Sequence, residues 1–136
     1  MLREGIAPLY QILQLLLRDD TNKINVLSIN RYDEDILLRR ELDELAVMHP
    51  DRLTVTYWLT HENGRGDVAL AQQALPDPSK VNVMVFVCGK DGFVDHWGGP
   101  IAREETTDGS KGKKIQGPLR GILKDAGFDA SQVFKY

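Results

Sequence analysis

Cysteine is almost missing from this chain: Cys88 is the one thiol in 136 residues. No internal disulfide can form, which fits a reducing, intracellular setting. Long apolar runs are missing too, and none approaches the ~20 residues of a membrane-spanning helix. There is no block of like charge. Net charge is -3, and Lys111, Lys113 and Lys114 sit among Gly and Ser as a solvated loop, so nucleic acid is not an expected partner. His49, His61 and His96 fall on unrelated segments without ligand spacing, so no metal site is expected. No Gly-x-Ser-x-Gly elbow and no Ser/His/Asp order is present. The opening "MLREGIAPLY" mixes acid, base and Pro and lacks the pattern of a signal or transit peptide.

What remains is an ordinary globular composition, 42% hydrophobic, in a length suited to one domain over residues 1–136. Ile6, Leu9, Ile12, Leu13, Leu16 and Leu17 recur at helical spacing, with Pro8 suited to a first turn. "KINVLSIN", Lys23 to Asn30, reads as a strand whose near-continuous apolar run suggests burial on both faces. An amphipathic helix is predicted from about Asp35 to Met48, with Leu38, Leu42, Leu45 and Met48 as its stripe and Pro50 as its stop. "DRLTVTYWLT" is a second strand, and "HENGRG" is a loop. "DVALAQQALP" is a short helix capped by Asp67. "VNVMVFVC" is a third strand, followed by one helical turn that Gly98-Gly99-Pro100 breaks. Arg103 to Gln116 carries one apolar residue and reads as a surface excursion. "GPLRGILKDAGF" is a helix opened by Pro118 and closed by Gly127, and "SQVFKY" is a last short strand. Strands alternating with helices imply an α/β fold: a mostly parallel, doubly wound sheet with right-handed crossovers and helices on both faces. Yet the chain opens with a helix where such a unit normally opens with a strand.

"GIAPLYQIL", "INVLSINRYDEDILLRRELDEL", "VMVFVCGKDGF" and the final "VFKY" together resemble the nicotinamide-binding half of NADH–cytochrome b5 reductase and the wider ferredoxin–NADP reductase superfamily. The resemblance runs from Gly5 to Tyr136. It implies a Rossmann-like sheet of order 3-2-1-4-5 whose first, central strand is missing here. Lys23–Asn30 and Val83–Cys88 would flank the gap. It also implies that a hydride passes from NADH to FAD and that electrons then leave singly for a haem or similar acceptor. The FAD would be held by a flavin domain absent from this chain.

The resemblance also names residues. Gly5, Ile6, Ala7 and Pro8 match the end of the family's "GGTGIAP"-like loop, where a helix N-terminus meets the pyrophosphate. Asn30, Arg31 and Asp35 follow the strand expected to read the adenosine end. There Asp35 leans toward NADH, and Arg31 either leans toward a 2′-phosphate or pairs with Asp33 or Asp35. Cys88, Gly89, Asp91, Gly92 and Phe93 match a Cys-Gly-Pro-x-x-Met/Phe motif, in which the thiol lies near the nicotinamide C4 and takes part in the catalytic site. Tyr136 matches a terminal aromatic beside the flavin, or else covers the sheet edge.

Two departures support a competing expectation. Leu2-Arg3-Glu4 replace Gly-Gly-Thr, so a carboxylate stands where a pyrophosphate is expected; two unit charges ~4 Å apart repel by ~4 kcal/mol at an intermediate dielectric. Lys90 replaces the usual Pro. The alternative to an oxidoreductase part is therefore a non-catalytic interaction module that kept the fold and lost dinucleotide binding. On either reading the chain alone is expected to lack diaphorase activity. A mitochondrial or reticular association follows from the resemblance only. For the gap, three outcomes are open: the chain is a piece of a longer reductase, a partner supplies the strand, or the flanking strands pair directly.

Overall fold

The computed structural model describes residues 3–19 and 21–136, with side chains from residue 6 onward. Helix α1 (Arg3–Leu17) leads into strand β1 (Ile24–Asn30). Helix α2 (Arg39–Met48) crosses to β2 (Leu53–Leu59), which lies parallel to β1 from Ile24↔Leu53 to Asn30↔Leu59. Short helices α3 (Thr60–Asn63) and α4 (Val68–Ala74) lead to β3 (Val85–Val87) and helix α5 (Asp91–Gly98). A small antiparallel pair, β4 (Ala102–Arg103) with β5 (Lys114–Ile115), forms the neck of the excursion predicted for residues 103–116. Helix α6 (Ile122–Asp125) precedes β6 (Val133–Lys135), which is parallel to β3.

The parallel architecture is as expected, but it comes as two pairs, β2-β1 and β3-β6. Among the described residues β1 and β3 do not pair with each other, so direct closure of the gap is not what the chain does. The pairs still share a core. Alternation along a strand sends neighbouring side chains to opposite faces. Ile24 and Val26 of β1 meet Leu53, Val55 and Tyr57 of β2 under Leu13 and Leu17 of α1 and Leu42 of α2. Leu27, Ile29 and Trp58 point the other way, into a core with Leu70, Val85, Val87, Val94, Trp97, Leu123 and Val133. Helices therefore cover both faces of the β1-β2 pair. On β3-β6, Val85, Val87 and Val133 face this core, whereas Met84, Phe134 and Tyr136 are exposed.

Several boundaries differ from the sequence reading. The helix expected from Asp35 begins at Arg39. Residues Asp33–Asp35 form a 3-10 turn instead, and Leu38 sits in the left-handed region (φ 57°). Such a conformation costs a non-glycine residue about 1–2 kcal/mol, and Leu38 offsets it by packing against the α1/α2 core. The helix expected from Pro118 is reduced to Ile122–Asp125. Gly121 takes a φ of +79°, and a Cβ there would lie 2.4 Å from the His96 carbonyl oxygen, so this backbone is wedged against α5 rather than coiled. The third strand is shorter than "VNVMVFVC" suggests, and the helix after it runs to Gly98 rather than for one turn. Asp67 caps α4 as expected, accepting from the Leu70 N–H at 3.0 Å. No helix among the described residues is long and apolar enough to cross a membrane.

Candidate functional site

The carboxyl ends of β1 and β3 open on the same side, the position at which parallel α/β sheets place ligands. A cleft of about 60 Å³ lies there, lined by Ile6 and Leu9 of α1, Leu27 to Asn30 of β1, Leu37, Cys88 and Phe93. Of the residues singled out in the sequence, Ile6, Asn30, Cys88 and Phe93 thus come together at one place, although they span most of the chain.

Each wall has a local cause. The β1 wall ends in buried Ser28 and Asn30, and the Asn30 amide N–H donates to the Ser28 hydroxyl at 3.0 Å, so the two buried polar side chains are paired. Cys88 directly follows β3. Burial pushes its thiol above the usual range, partly offset by the Gly89 N–H, so Cys88 stays a neutral thiol at physiological pH rather than a nucleophilic thiolate. At Gly89 a Cβ would lie 2.7 Å from Cδ1 of Phe93, so the glycine lets the ring close down on the turn. Gly92, in the first turn of α5, faces open space. Asp91 opens α5, where its carboxylate lies beside the positive end of the helix dipole. Phe93 is half-buried and stacks toward Trp97, ring centroids 6.3 Å apart.

Tyr136 lies next to this turn. Its N–H donates to the Val87 carbonyl at 2.9 Å, and its ring packs edge-on to Phe134 at 5.0 Å. The Gly5-Ile6-Ala7-Pro8 segment lies inside α1 rather than in a loop before it. Pro8 is therefore in the second turn, not the first. The Leu2 position falls outside the described residues, as do the side chains of Arg3 and Glu4.

Arg31 and Asp35 lie on the outer side of the β1 end and are exposed. The pairing of Arg31 with Asp33 or Asp35 is not formed. Asp33 instead pairs with Arg39, which also lies 3.9 Å from Asp43 and over the Tyr57 ring. Two residues near Arg31 escaped the sequence reading as site candidates. Tyr32 and His61 stack with centroids 4.9 Å apart, and the His61 N–H donates to the Arg31 carbonyl at 3.2 Å. Arg31-Tyr32 and Thr60-His61 each follow directly on strands paired through Asn30↔Leu59, a register that the sequence does not spell out. No group of three or more His, Cys, Asp or Glu among the described residues is placed to hold a metal ion.

Comparison with known proteins agrees with this layout. Residues 4–97 match the family described as the oxidoreductase NAD-binding domain. "NADH-cytochrome b5 reductase 2" of Aspergillus fumigatus is 36% identical over 97% of this chain and 41% of its own length. The protein of the same name from Debaryomyces hansenii is 36% identical over 97% of this chain and 44% of its own length. The chain therefore spans less than half the length of these relatives. The cytochrome b5 reductase domain of Ulva prolifera nitrate reductase superposes with a TM-score of 0.71 at 22% identity, covering 97% of this chain and 45% of that one, which shows the shared fold. With a parallel α/β scaffold, a cleft at the strand ends and the Cys88-Gly89 turn at its mouth, the chain belongs to the oxidoreductase NAD-binding domain family and is similar to the corresponding part of cytochrome b5 reductases.

Proposed function

We propose that the chain is the NADH-binding half of an FAD-dependent oxidoreductase, working with a flavin domain supplied in cis or in trans and passing electrons on to a haem or similar one-electron acceptor. The observation that carries this reading is the meeting of α1, the β1 end and the Cys88–Phe93 turn in one apolar cleft. The bound flavin would supply the acceptor for a hydride and release the electrons singly. The chain's own residues hold and shield the donor. Cys88 presents an uncharged, weakly polar group to the nicotinamide, burial holding its thiol above the usual range. Phe93, Ile6 and Leu9 keep water from the hydride path. Tyr136, tied to Val87, covers the flavin side of the turn. Asn30, Arg31 and Asp35 stand toward the adenosine end, and Gly5 to Pro8 toward the pyrophosphate. A mitochondrial or reticular membrane setting belongs to this reading through the resemblance alone.

A second reading, a non-catalytic interaction module, is favoured by a different observation. The cleft is about 60 Å³, well below the roughly 300–1,000 Å³ of ordinary ligand pockets, and Gly5 to Pro8 are wound into α1. One titration separates the two. Saturable NADH binding to the chain at or below about 1 mM, a weak affinity of about 4 kcal/mol, excludes the module. No saturation there excludes the dinucleotide reading. With the flavin domain added, the first reading expects NADH-dependent reduction of ferricyanide, and bound FAD without that turnover would defeat it.

A further inference from the structure

We infer that a groove on the segments leading into β3 and β6 is a second ligand site, shaped for a small organic cation with a flat apolar body. It shares no lining residue with the Cys88 cleft, and the inference stands apart from the dinucleotide reading. The groove lies between α4 and the corner that joins α6 to β6. Its volume is about 360 Å³, against about 60 Å³ for the cleft at Cys88. That places it at the small end of the roughly 300–1,000 Å³ of ordinary ligand pockets.

The shape has causes in the sequence. Ala71 of α4 and Ala126 after α6 bring only a methyl group each to the walls, so the two helices leave space where larger side chains would fill it. Phe128 supplies an apolar surface. It is 5% exposed and belongs to the core that also holds Leu70 and Leu123, so its ring cannot swing out to close the groove. The remaining wall is the Pro76–Pro78 stretch, whose proline rings fix two backbone angles. The Pro78 carbonyl accepts from the Gln132 amide at 2.8 Å, and the same amide group accepts from the Asp129 N–H at 3.0 Å. The wall is therefore held in place before anything binds, which lowers the ordering cost of binding.

The chemistry of the lining selects the charge of the occupant. Pro76 and Pro78 have no N–H to donate. The one charged lining residue is Asp77. The Ser79 N–H and hydroxyl both donate to its Oδ1, at 2.9 and 2.7 Å, and hold the carboxyl below the usual carboxylate range. Its Oδ2 accepts from no side chain or N–H among the described residues. Asp77 is thus a fixed anion at the rim with one oxygen to offer. Gln72, exposed on α4, adds an amide that either accepts or donates. Lys80 does not line the groove, and its charge acts on Asp77 less than the Ser79 bonds do. An anionic ligand would be repelled here. A planar ring set against Phe128 and the prolines, with a cationic N–H head on Asp77, meets both the apolar and the polar side of the groove.

The test is an amide-resolved NMR titration of the full chain with benzamidine, its neutral counterpart benzamide, and benzoate. Benzamidine is expected to saturate with a Kd of about 1 mM or tighter, with shifts centred on residues 71–79 and 126–128. Benzamide should bind at least about fivefold more weakly, and benzoate should not saturate. Asp77→Asn keeps an acceptor for Ser79 and removes the charge. It should weaken benzamidine by about tenfold and benzamide by less than about twofold. Ala126→Leu fills the groove and should abolish both, with circular dichroism showing the fold intact; should that variant misfold, Asp77→Asn decides alone. Benzamidine binding no tighter than benzamide, shifts centred elsewhere, or an Asp77→Asn loss equal for both ligands overturns the inference. None of these outcomes bears on NADH, whose own titration tests the dinucleotide reading separately.

Discussion

The β1-β2 pair and the β3-β6 pair solve one problem in different ways. In the first, seven-residue strands align along their whole length, and α1 and α2 close one face with Leu13, Leu17 and Leu42. Regular ladders and helical stripes do most of the work there, and the Arg52 guanidinium ties the end of α1 to the sheet by donating to the carbonyls of Leu16, Leu17 and Asn22. In the second, the paired strands are three residues each, too few for a ladder to hold them alone. Side chains replace the missing ladder. The Gln116 amide accepts from the Lys135 N–H at 2.8 Å and donates to the Lys135 carbonyl at 2.7 Å, so one side chain occupies the place of a neighbouring strand. Lys135 Nζ reaches the carbonyls of Gly98, Pro100, Gly117 and Pro118 at 2.9–3.2 Å. The half that carries Cys88 thus relies on side chains where the half that carries Arg31 has a full-length ladder.

The sharpest way to break the comparison is at Lys135. It is 4% exposed; burial lowers its ionisation range while the Asp95 carboxylate works against that shift, so the buried ammonium rests on its ring of carbonyls with help from Asp95. Lys135→Met keeps the stem and removes the donors. The carbonyls at the neck of the excursion then lose their partner, at about 1–3 kcal/mol for each buried group left unsatisfied. A total loss of about 3–5 kcal/mol is expected, measured by urea denaturation; a domain of this size has only about 5–15 kcal/mol to lose. Amide exchange should rise first at β6 and residues 99–118, while β1 and β2 keep their protection. Equal loss of protection in both halves would show that the two pairs unfold as one.

The matching cut in the other half is Leu42→Ala. Leu42 is 1% exposed, between α1, α2 and the sheet. Truncating it removes buried methyls and leaves a cavity, at about 2–5 kcal/mol; we expect about 3 kcal/mol, since α1 can partly settle into the space. Here exchange should rise along α1 and α2, and the Cys88 turn should keep its slow thiol alkylation near neutral pH. Faster alkylation of Cys88 in Leu42→Ala than in the parent chain would show that the first half also holds the site together.

The same contrast explains what the sequence disclosed. α1, β1, β2 and the Asp67 cap carry their pattern within short stretches of sequence, so spacing alone revealed them. Leu38 broke the expected helix because its left-handed backbone is stabilised by a distant core, a term no local propensity contains. Gly121 looked like an ordinary residue in a helical stretch; its role depends on His96, a neighbour only in space. Lys135 stood in "VFKY" as one more charged residue near the end, and nothing in the spacing shows the ring of carbonyls from another segment. For the site, the Cys88-Gly89 turn was legible as a motif. The stacking of Tyr32 and His61 was not, because it needs the register of β1 on β2.

The smallest effect is at the outer face of β2 and sharpens what α2 contributes there. The Tyr57 hydroxyl donates to Asp43 at 2.6 Å, and burial together with that carboxylate pushes its ionisation well above the usual tyrosine range. A phenol whose folded value lies above its unfolded one, about 10, contributes stability that is present in full below pH ~10 and is lost as pH rises beyond it, because the unfolded chain releases the proton first. Tyr57→Phe should therefore cost only about 1 kcal/mol near neutral pH, the net worth of one hydrogen bond. Urea midpoints of parent and variant should converge above pH ~10, where the parent alone pays for keeping its phenol protonated. A gap that stays constant to pH ~11 would mean that Tyr57 ionises as freely in the folded chain as in the unfolded one, and that α2 is held to β2 by Leu42 and its apolar neighbours without help from the Asp43 carboxylate.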